Sequence, residues 1–254
     1  MDKLLQTIQS HANPEKAKIL QRFFKTGKGE YAEGDIFLGL VVPIQRKISK
    51  QFSNITLNDV SKLLFSPIHE YRLIALFILI EQFKRGDEAV KKSIFELYMN
   101  NTQHINNWDL IDLSAPTIVG EYLKNKHYTT LYVFAQSNNL WKKRIAMLSS
   151  FTDIKNGRFD RALEIAEILV YDAHDLIHTA VGWMLREMGK RGGLKEEEMF
   201  LNKHGATMPR TMLRYAIERF PESKRQFYLN LKNKWGNSKQ YARAPDLSAR
   251  EILG

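Results

Sequence analysis

Leu73-Ile74-Ala75-Leu76-Phe77 sets one small residue inside an apolar run with polar residues ahead of it. The pattern returns at Arg144-Ile145-Ala146-Met147-Leu148, His178-Thr179-Ala180-Val181-Gly182 and Arg214-Tyr215-Ala216-Ile217. The alanines stand 71, 34 and 36 residues apart, which is two periods followed by one and one. A period near 35 fits repeated helix pairs, in which the small residue lets neighbouring helices approach closely. The pattern therefore predicts an all-α chain, an α-solenoid of antiparallel helix pairs with the second helix of each pair lining a concave surface. One period from Ala75 or Ala146 falls near Ile111.

Periodicity and caps place the helices. Residues 2–11 form a short amphipathic helix, and Asn13-Pro14-Glu15 supplies an N-cap, a proline at the first helical position and an acidic first turn for a helix reaching about Lys25. Helices are expected at 43–52, 56–65, 67–84, 87–100, 104–123, 128–136, 139–156, 159–169, 175–190, 194–204, 209–220 and 223–232. Many connections are two to six residues long, as between antiparallel neighbours. The whole chain, 1–254, reads as one helical domain with a loop or hairpin insertion at about 26–40. A loosely packed tail follows at about 235–254, with a last helical turn at 248–253. The insertion opens on Lys25-Thr26-Gly27-Lys28-Gly29-Glu30-Tyr31-Ala32-Glu33-Gly34-Asp35, whose glycines could bring backbone N–H groups, with Lys25 and Lys28, close to phosphate. A plain connector has the same composition. The Gly-Lys-Ser/Thr ending of a Walker A loop is missing.

Composition narrows the partner. A 44% hydrophobic content over 254 residues is enough for a sizeable core. The 38 Lys and Arg against 28 Asp and Glu leave a net charge of +10, which favours a polyanion, nucleic acid before an acidic membrane surface. Cysteine is absent, which excludes disulfides, thiolate nucleophiles and Cys-ligated metals. Met1-Asp2-Lys3-Leu4 lacks a signal peptide's apolar core, and the most apolar run, Leu73 to Ile80, is far short of the roughly 20 residues that span a bilayer. A cytoplasmic monomer without membrane contact is expected.

Chemistry concentrates in Asn106-Asn107-Trp108-Asp109-Leu110-Ile111-Asp112-Leu113-Ser114-Ala115-Pro116. On a helix, Trp108 and Asp112 share one face, pairing an indole with a carboxylate. Such a pair suits a cation or a centre developing positive charge. Asp109 points elsewhere and reads as structural. Trp141 with Arg144, and Trp183 with Arg186, repeat the theme at i,i+3. Each Trp alone is ordinarily a packing residue and each Arg a solvated charge, but arginine also stacks on aromatics and grips phosphate bidentately. For Asp112 the ordinary reading is an inter-repeat salt bridge; on a polyanion-binding face a carboxylate costs affinity and so suggests chemistry. Asp172 and Asp175 suit capping at a helix entrance. His174 and His178 have metal-compatible spacing but no His-Glu-x-x-His motif, and Ser114 lacks a nucleophile elbow. No metal and no organic cofactor is expected.

Trp108-Asp109-x-x-Asp112, Trp141-x-x-Arg144-x-Ala146 and Gly182-Trp183-x-Leu185-Arg186-Glu187 together resemble the AlkD-type DNA alkylation repair proteins, built from HEAT-like repeats. The resemblance runs from about Pro14 to Arg219. It implies that Trp108, Asp112, Arg144 and Trp183 line a basic concave surface on double-stranded DNA. The implied activity is hydrolysis of the N-glycosidic bond of cationic N3- and N7-alkylpurines without extruding the base. Trp108, Asp112 and Trp183 would act at the sugar and Arg144 on a phosphate. Trp141, Lys142, Lys143, Arg186, Lys190 and Arg191, with Lys25 and Lys28, would add contacts to DNA. The 25–35 segment is longer than its counterpart in such glycosylases and resembles a sister group with a basic hairpin. That group implies an alternative, a non-catalytic protein recognising branched DNA or junctions. A protein–protein adaptor is a third possibility.

Overall fold

A computed structural model describes residues 1–231. The chain is all-α. The helices are α1 (Asp2–Gln9), α2 (Pro14–Phe23), α3 (Val42–Gln51), α4 (Leu57–Leu64), α5 (His69–Arg85), α6 (Glu88–Asn100), α7 (Trp108–Ala115) and α8 (Glu121–Leu123). They continue as α9 (Thr129–Ala135), α10 (Leu140–Ser149), α11 (Phe151–Lys155), α12 (Asp160–Leu169), α13 (Asp175–Lys190), α14 (Leu194–His204), α15 (Arg210–Ala216) and α16 (Glu222–Leu229). Two compact units result: unit 1 is Met1–Ser114 and unit 2 begins at Ala115. The expected tail at about 235–254 lies outside the described residues.

Unit 1 is built around α5. Every residue of α5 from Leu73 to Ile80 is buried, because α3 and α4 pack against it and α6 covers more of its surface. A helix apolar on all sides has to be central. Unit 2 is built around α13, which packs on α10, α14 and α15. The four repeated alanines, Ala75, Ala146, Ala180 and Ala216, are 0% exposed. In unit 2 they fall on α10, α13 and α15, helices in direct contact. Gly182 shows how close that contact is: a Cβ there would lie 2.4 Å from the Met212 carbonyl oxygen and 2.6 Å from Tyr215 Cβ.

Capping residues set the expected starts. Asn13 accepts from the Lys16 amide at 3.0 Å, and Thr56 and Asp87 cap α4 and α6 in the same way. Several ends differ from expectation. The helix expected over 104–123 begins only at Trp108, after a 3₁₀ turn at Thr102–His104, and passes through a π-helical turn at Pro116–Gly120. Pro116 has no N–H for the carbonyl of Asp112 and crowds it, so the turn widens. The helix expected over 139–156 divides at Ser150, where Ser149 and Ser150 hydroxyls donate to the Ile145 and Met147 carbonyls, each at 2.6 Å, and compete with the helical pattern. The helix expected to end at 220 stops at Ala216, and a 3₁₀ turn follows at Ile217–Arg219.

The 26–40 insertion is a loop of turns. Its β contact is one isolated bridge, Ile36 with Ile68. Gly39 fixes its far end. With φ +87°, it brings the chain so near α2 that a Cβ would lie 2.1 Å from the Asn13 carbonyl oxygen. The buried Glu70 carboxylate collects the amides of Leu38, Gly39 and Leu40 at 2.8–3.2 Å.

Candidate functional site

In unit 1 the structure places Trp108 and Asp112 on the half-exposed side of α7, while Leu110, Ile111 and Ser114 face inward. The helix is held near both ends. Near its C-terminus, the Ser114 hydroxyl donates to the Leu110 carbonyl and meets the buried Tyr98 hydroxyl at 3.0 Å. Burial first, and then the Asp112 charge, push the Tyr98 phenol pKa upward.

At its N-terminus, Trp108 stacks on Phe24 with centroids 5.2 Å apart and meets the edge of Phe23 at 5.9 Å. Phe24 in turn stacks on Phe37 at 4.9 Å, and Phe37 on His69 at 4.5 Å. The ring stack leads into a buried ionic cluster. His69 Nε2 lies 2.8 Å from Asp109 Oδ2, and Nδ1 lies 3.1 Å from Asp35 Oδ2. Arg72 donates to Asp35 and to Asn106, each at 2.5 Å. Burial alone would lower the His69 pKa. The charge and hydrogen bond of Asp109, then the bond to Asp35, outweigh burial and the opposing Arg72, and the imidazole is pushed up to about 9. Asp35 is held below the usual carboxylate range, since its contacts to His69 and Arg72 overcome burial. Two cations thus face two carboxylates, and the cluster ties the insertion, α5 and the first turn of α7 together. Asp109 is structural, as its helical position suggested.

His69 and Arg72 carried no sequence prediction, yet a signal existed. They lie in the first turn of α5, one turn from its fully buried apolar run Leu73–Ile80, where a charge is retained only if it is paired.

In unit 2, Arg144 is 4% exposed and its Nη1 donates to the Leu176 carbonyl and, at 3.3 Å, to Thr179 Oγ1 in the opening of α13. Trp141 sits half-buried one turn earlier, where Asn139 caps α10 by accepting from the amides of Trp141 and Lys142. Trp183 is half-buried on α13, 6.4 Å from the Phe151 ring. Arg186 pairs with Glu218, Lys143 with Asp172 at 2.5 Å, and Arg191 with Glu187 while lying 4.9 Å over Phe151. Lys142 approaches the Phe134 ring at 5.4 Å and Lys190 is exposed. His178 meets Asp175 and the Asp172 carbonyl through its two ring nitrogens.

The phosphate cradle considered for the insertion is not formed. The Gly27 amide donates to Glu30 at 2.7 Å and the Gly29 amide to Glu33 at 2.8 Å, so carboxylates of the same loop take the N–H groups an anion would use. Lys25 is half-buried with φ 53°, and Lys28 is exposed. Among the described residues, no group of three His, Asp or Glu side chains converges as a metal site, and no helix is long and apolar enough to cross a membrane.

A structure described as a predicted DNA alkylation repair enzyme from Enterococcus faecalis matches 84% of this chain and 98% of its own, with a TM-score of 0.63 and 16% identity. At that identity the likeness concerns the fold. No curated protein matches the sequence significantly. The sequence model of the DNA alkylation repair enzyme family matches residues 4–220, almost the whole described chain. The protein therefore belongs to the DNA alkylation repair enzyme family.

Proposed function

We propose that the protein is a DNA glycosylase that removes cationic N3- and N7-alkylpurines by hydrolysis of the N-glycosidic bond, without extruding the base. The observation that carries this reading is the carboxylate of Asp112 one turn after Trp108, on a helix fixed at both ends by buried contacts. The +10 net charge and family membership support DNA as the partner, and the reading takes it as duplex. In this reading the HEAT-like repeats present basic residues to DNA.

Alkylation makes the purine a cation and a good leaving group, so little acid catalysis is needed. Departure of the base leaves an oxocarbenium-like sugar. Asp112 stabilises that charge and orients the attacking water. A carboxylate fixed before the charge develops needs no reorganisation during the reaction, which is where electrostatic catalysis gains most. The indoles of Trp108 and Trp183 pack against the deoxyribose and offer electron-rich faces to the cationic centre. Arg144 holds a phosphate of the lesion strand. Trp141, Lys142, Lys143, Arg186, Lys190 and Arg191, with Lys25 and Lys28, contribute further contacts; Lys143, Arg186 and Arg191 would first exchange a carboxylate for phosphate.

The test is release of 7-methylguanine and 3-methyladenine from methylated duplex DNA, followed at high enzyme and long incubation. Release is expected. DNA binding without any base release would overturn the assignment, and tighter binding to three- or four-way junctions than to linear duplex would favour the non-catalytic alternative.

A further inference from the structure

An imidazole caps the N-terminus of α13. His174 stands just ahead of the helix, and its Nδ1 accepts from the Leu176 amide at 3.1 Å. The flanking aspartates are engaged elsewhere. Asp172 takes the His174 amide at 2.9 Å and Lys143 at 2.5 Å, while Asp175 faces His178 at 3.2 Å. Ser, Thr, Asn and Asp are the usual caps. A histidine in that place accepts only while Nδ1 carries no proton, so the ring is the neutral Nε2–H form. The whole arrangement lies within unit 2.

Leu176 is also where Arg144 arrives from α10. Its carbonyl accepts from Arg144 Nη1 and, at 3.1 Å, from the Thr179 hydroxyl, which in turn accepts from Arg144 at 3.3 Å. The first turn of α13 is thus held at the Leu176 amide by His174 and at the Leu176 carbonyl by the guanidinium. Protonation undoes the first hold. It turns Nδ1 from acceptor into donor, strands the Leu176 N–H and sets a cation at the positive end of the helix dipole. The amides of Ile177 and His178 keep the His174 carbonyl as acceptor at 2.9 and 3.1 Å, so the helix persists and only its first turn slackens. The charged groups facing the ring are Asp172 and Asp175 beside it, His178 one turn on, and Arg144 from α10. Burial holds the His174 pKa below the ordinary histidine value; the two aspartates oppose this, and His178 and Arg144 add to it. The cap is therefore intact at neutral pH and lost in mild acid.

We propose that His174 is a positioning residue for Arg144: its unprotonated ring fixes the Leu176 carbonyl, that carbonyl orients the guanidinium that holds a lesion-strand phosphate, and the hold on DNA loosens in acid. The inference rests on the proposed role of Arg144. It also makes a prediction of opposite sign to simple charge. A protonated histidine acting by charge alone would strengthen attraction to DNA as pH falls, whereas loss of the cap weakens it.

The probe is a duplex with one 2′-fluorinated 7-methylguanosine, whose glycosidic bond resists cleavage, titrated with the full chain at fixed salt at pH 8 and pH 5. Wild type, His174→Asn and His174→Ala are compared, each also with Arg144→Ala, and melting curves at both pH values show that every variant folds. Asparagine caps a helix without titrating. His174→Asn should match the wild type at pH 8 and bind about five-fold more tightly than it at pH 5, the scale of losing one helix cap. His174→Ala should be about five-fold weaker than the wild type at pH 8 and lose most of that difference at pH 5. With Arg144→Ala both differences should vanish. A ratio of wild type to His174→Asn that does not change with pH would overturn the proposal, as would a wild type that gains on the variant in acid, or a five-fold difference that survives Arg144→Ala. Arg144→Ala alone separates the failures: if it weakens binding while the ratio stays flat, only the role of His174 falls; if it binds as the wild type does, the clamp falls and this inference with it.

Discussion

Removing the imidazole of His69 should erase one pH-dependent part of the stability of unit 1. The histidine has a pKa raised from 6.5 to about 9 in the folded chain, between Asp109 at 2.8 Å and Asp35 at 3.1 Å. One pKa unit corresponds to about 1.4 kcal/mol, so the folded state gains on the order of 3 kcal/mol from holding this proton. Because the folded pKa is the higher one, the gain is complete below pH 6.5. It falls by about 1.4 kcal/mol per pH unit between 6.5 and 9, and it is gone above 9.

The assay is urea unfolding at pH 6, 7.5, 9 and 9.5 for the wild type and for His69→Gln with Asp109→Asn. The double substitution matters. His69→Gln alone would strand a buried carboxylate, and that group would add a titration of its own. An amide pair preserves hydrogen bonding without charge, and any other group that titrates in the range contributes to both proteins and cancels. The stability difference should shrink by roughly 3 kcal/mol from pH 6 to 9.5. A difference that stays constant across that range would show that His69 carries no stabilising proton.

Other expectations are more local. Asp112→Asn should retain the fold and DNA affinity but slow base release by about 10²-fold, the scale of losing one preorganised electrostatic group; unchanged single-turnover rates would remove Asp112 from the chemistry. Arg144→Ala should weaken lesion-strand binding in a titration at fixed salt. It should also lower stability by about 1–3 kcal/mol, because it leaves the Leu176 carbonyl without its guanidinium donor; wild-type DNA affinity in that variant would show that Arg144 is not a clamp. Gly182→Ala should destabilise unit 2 by about 1–3 kcal/mol, since the added methyl meets backbone of α15, and a melting temperature equal to wild type would show that α13 and α15 can part at no cost.

Much of the fold was legible because its signals are local. Asn13, Thr56 and Asp87 cap helices as their side chains dictate, and the repeated alanines mark helices that pack closely. The misplaced ends have local causes too, but competing ones. Pro116 does not end its helix; it widens one turn, and proline permits both outcomes. Asp109 was readable as structural from its helical position, but its partner was not, because His69 lies forty residues earlier. Phe24 as the platform for Trp108 was hidden for the same reason: nothing in the sequence near Phe24 announces a ring contact more than eighty residues away. Gly27 and Gly29 misled in the opposite direction. Their spacing allowed an anion cradle, and Glu30 and Glu33, visible in the same stretch, were the groups that fill it.

The ionic cluster also bears on what Asp112 can do. A carboxylate that stabilises a developing cation has to remain ionised while DNA phosphates surround it, and every nearby negative charge pushes its pKa upward. Asp109, three residues before it on the same helix, would be such a charge if it stood alone. His69 cancels it as long as the imidazole keeps its proton, and Arg72 does the same for Asp35. Above pH 9 the cluster gains a net negative charge at the start of α7, and the neutral imidazole has one N–H left for its two carboxylate partners. The proposed chemistry should therefore weaken on the alkaline side, through the negative field that builds at the start of α7 once His69 loses its proton.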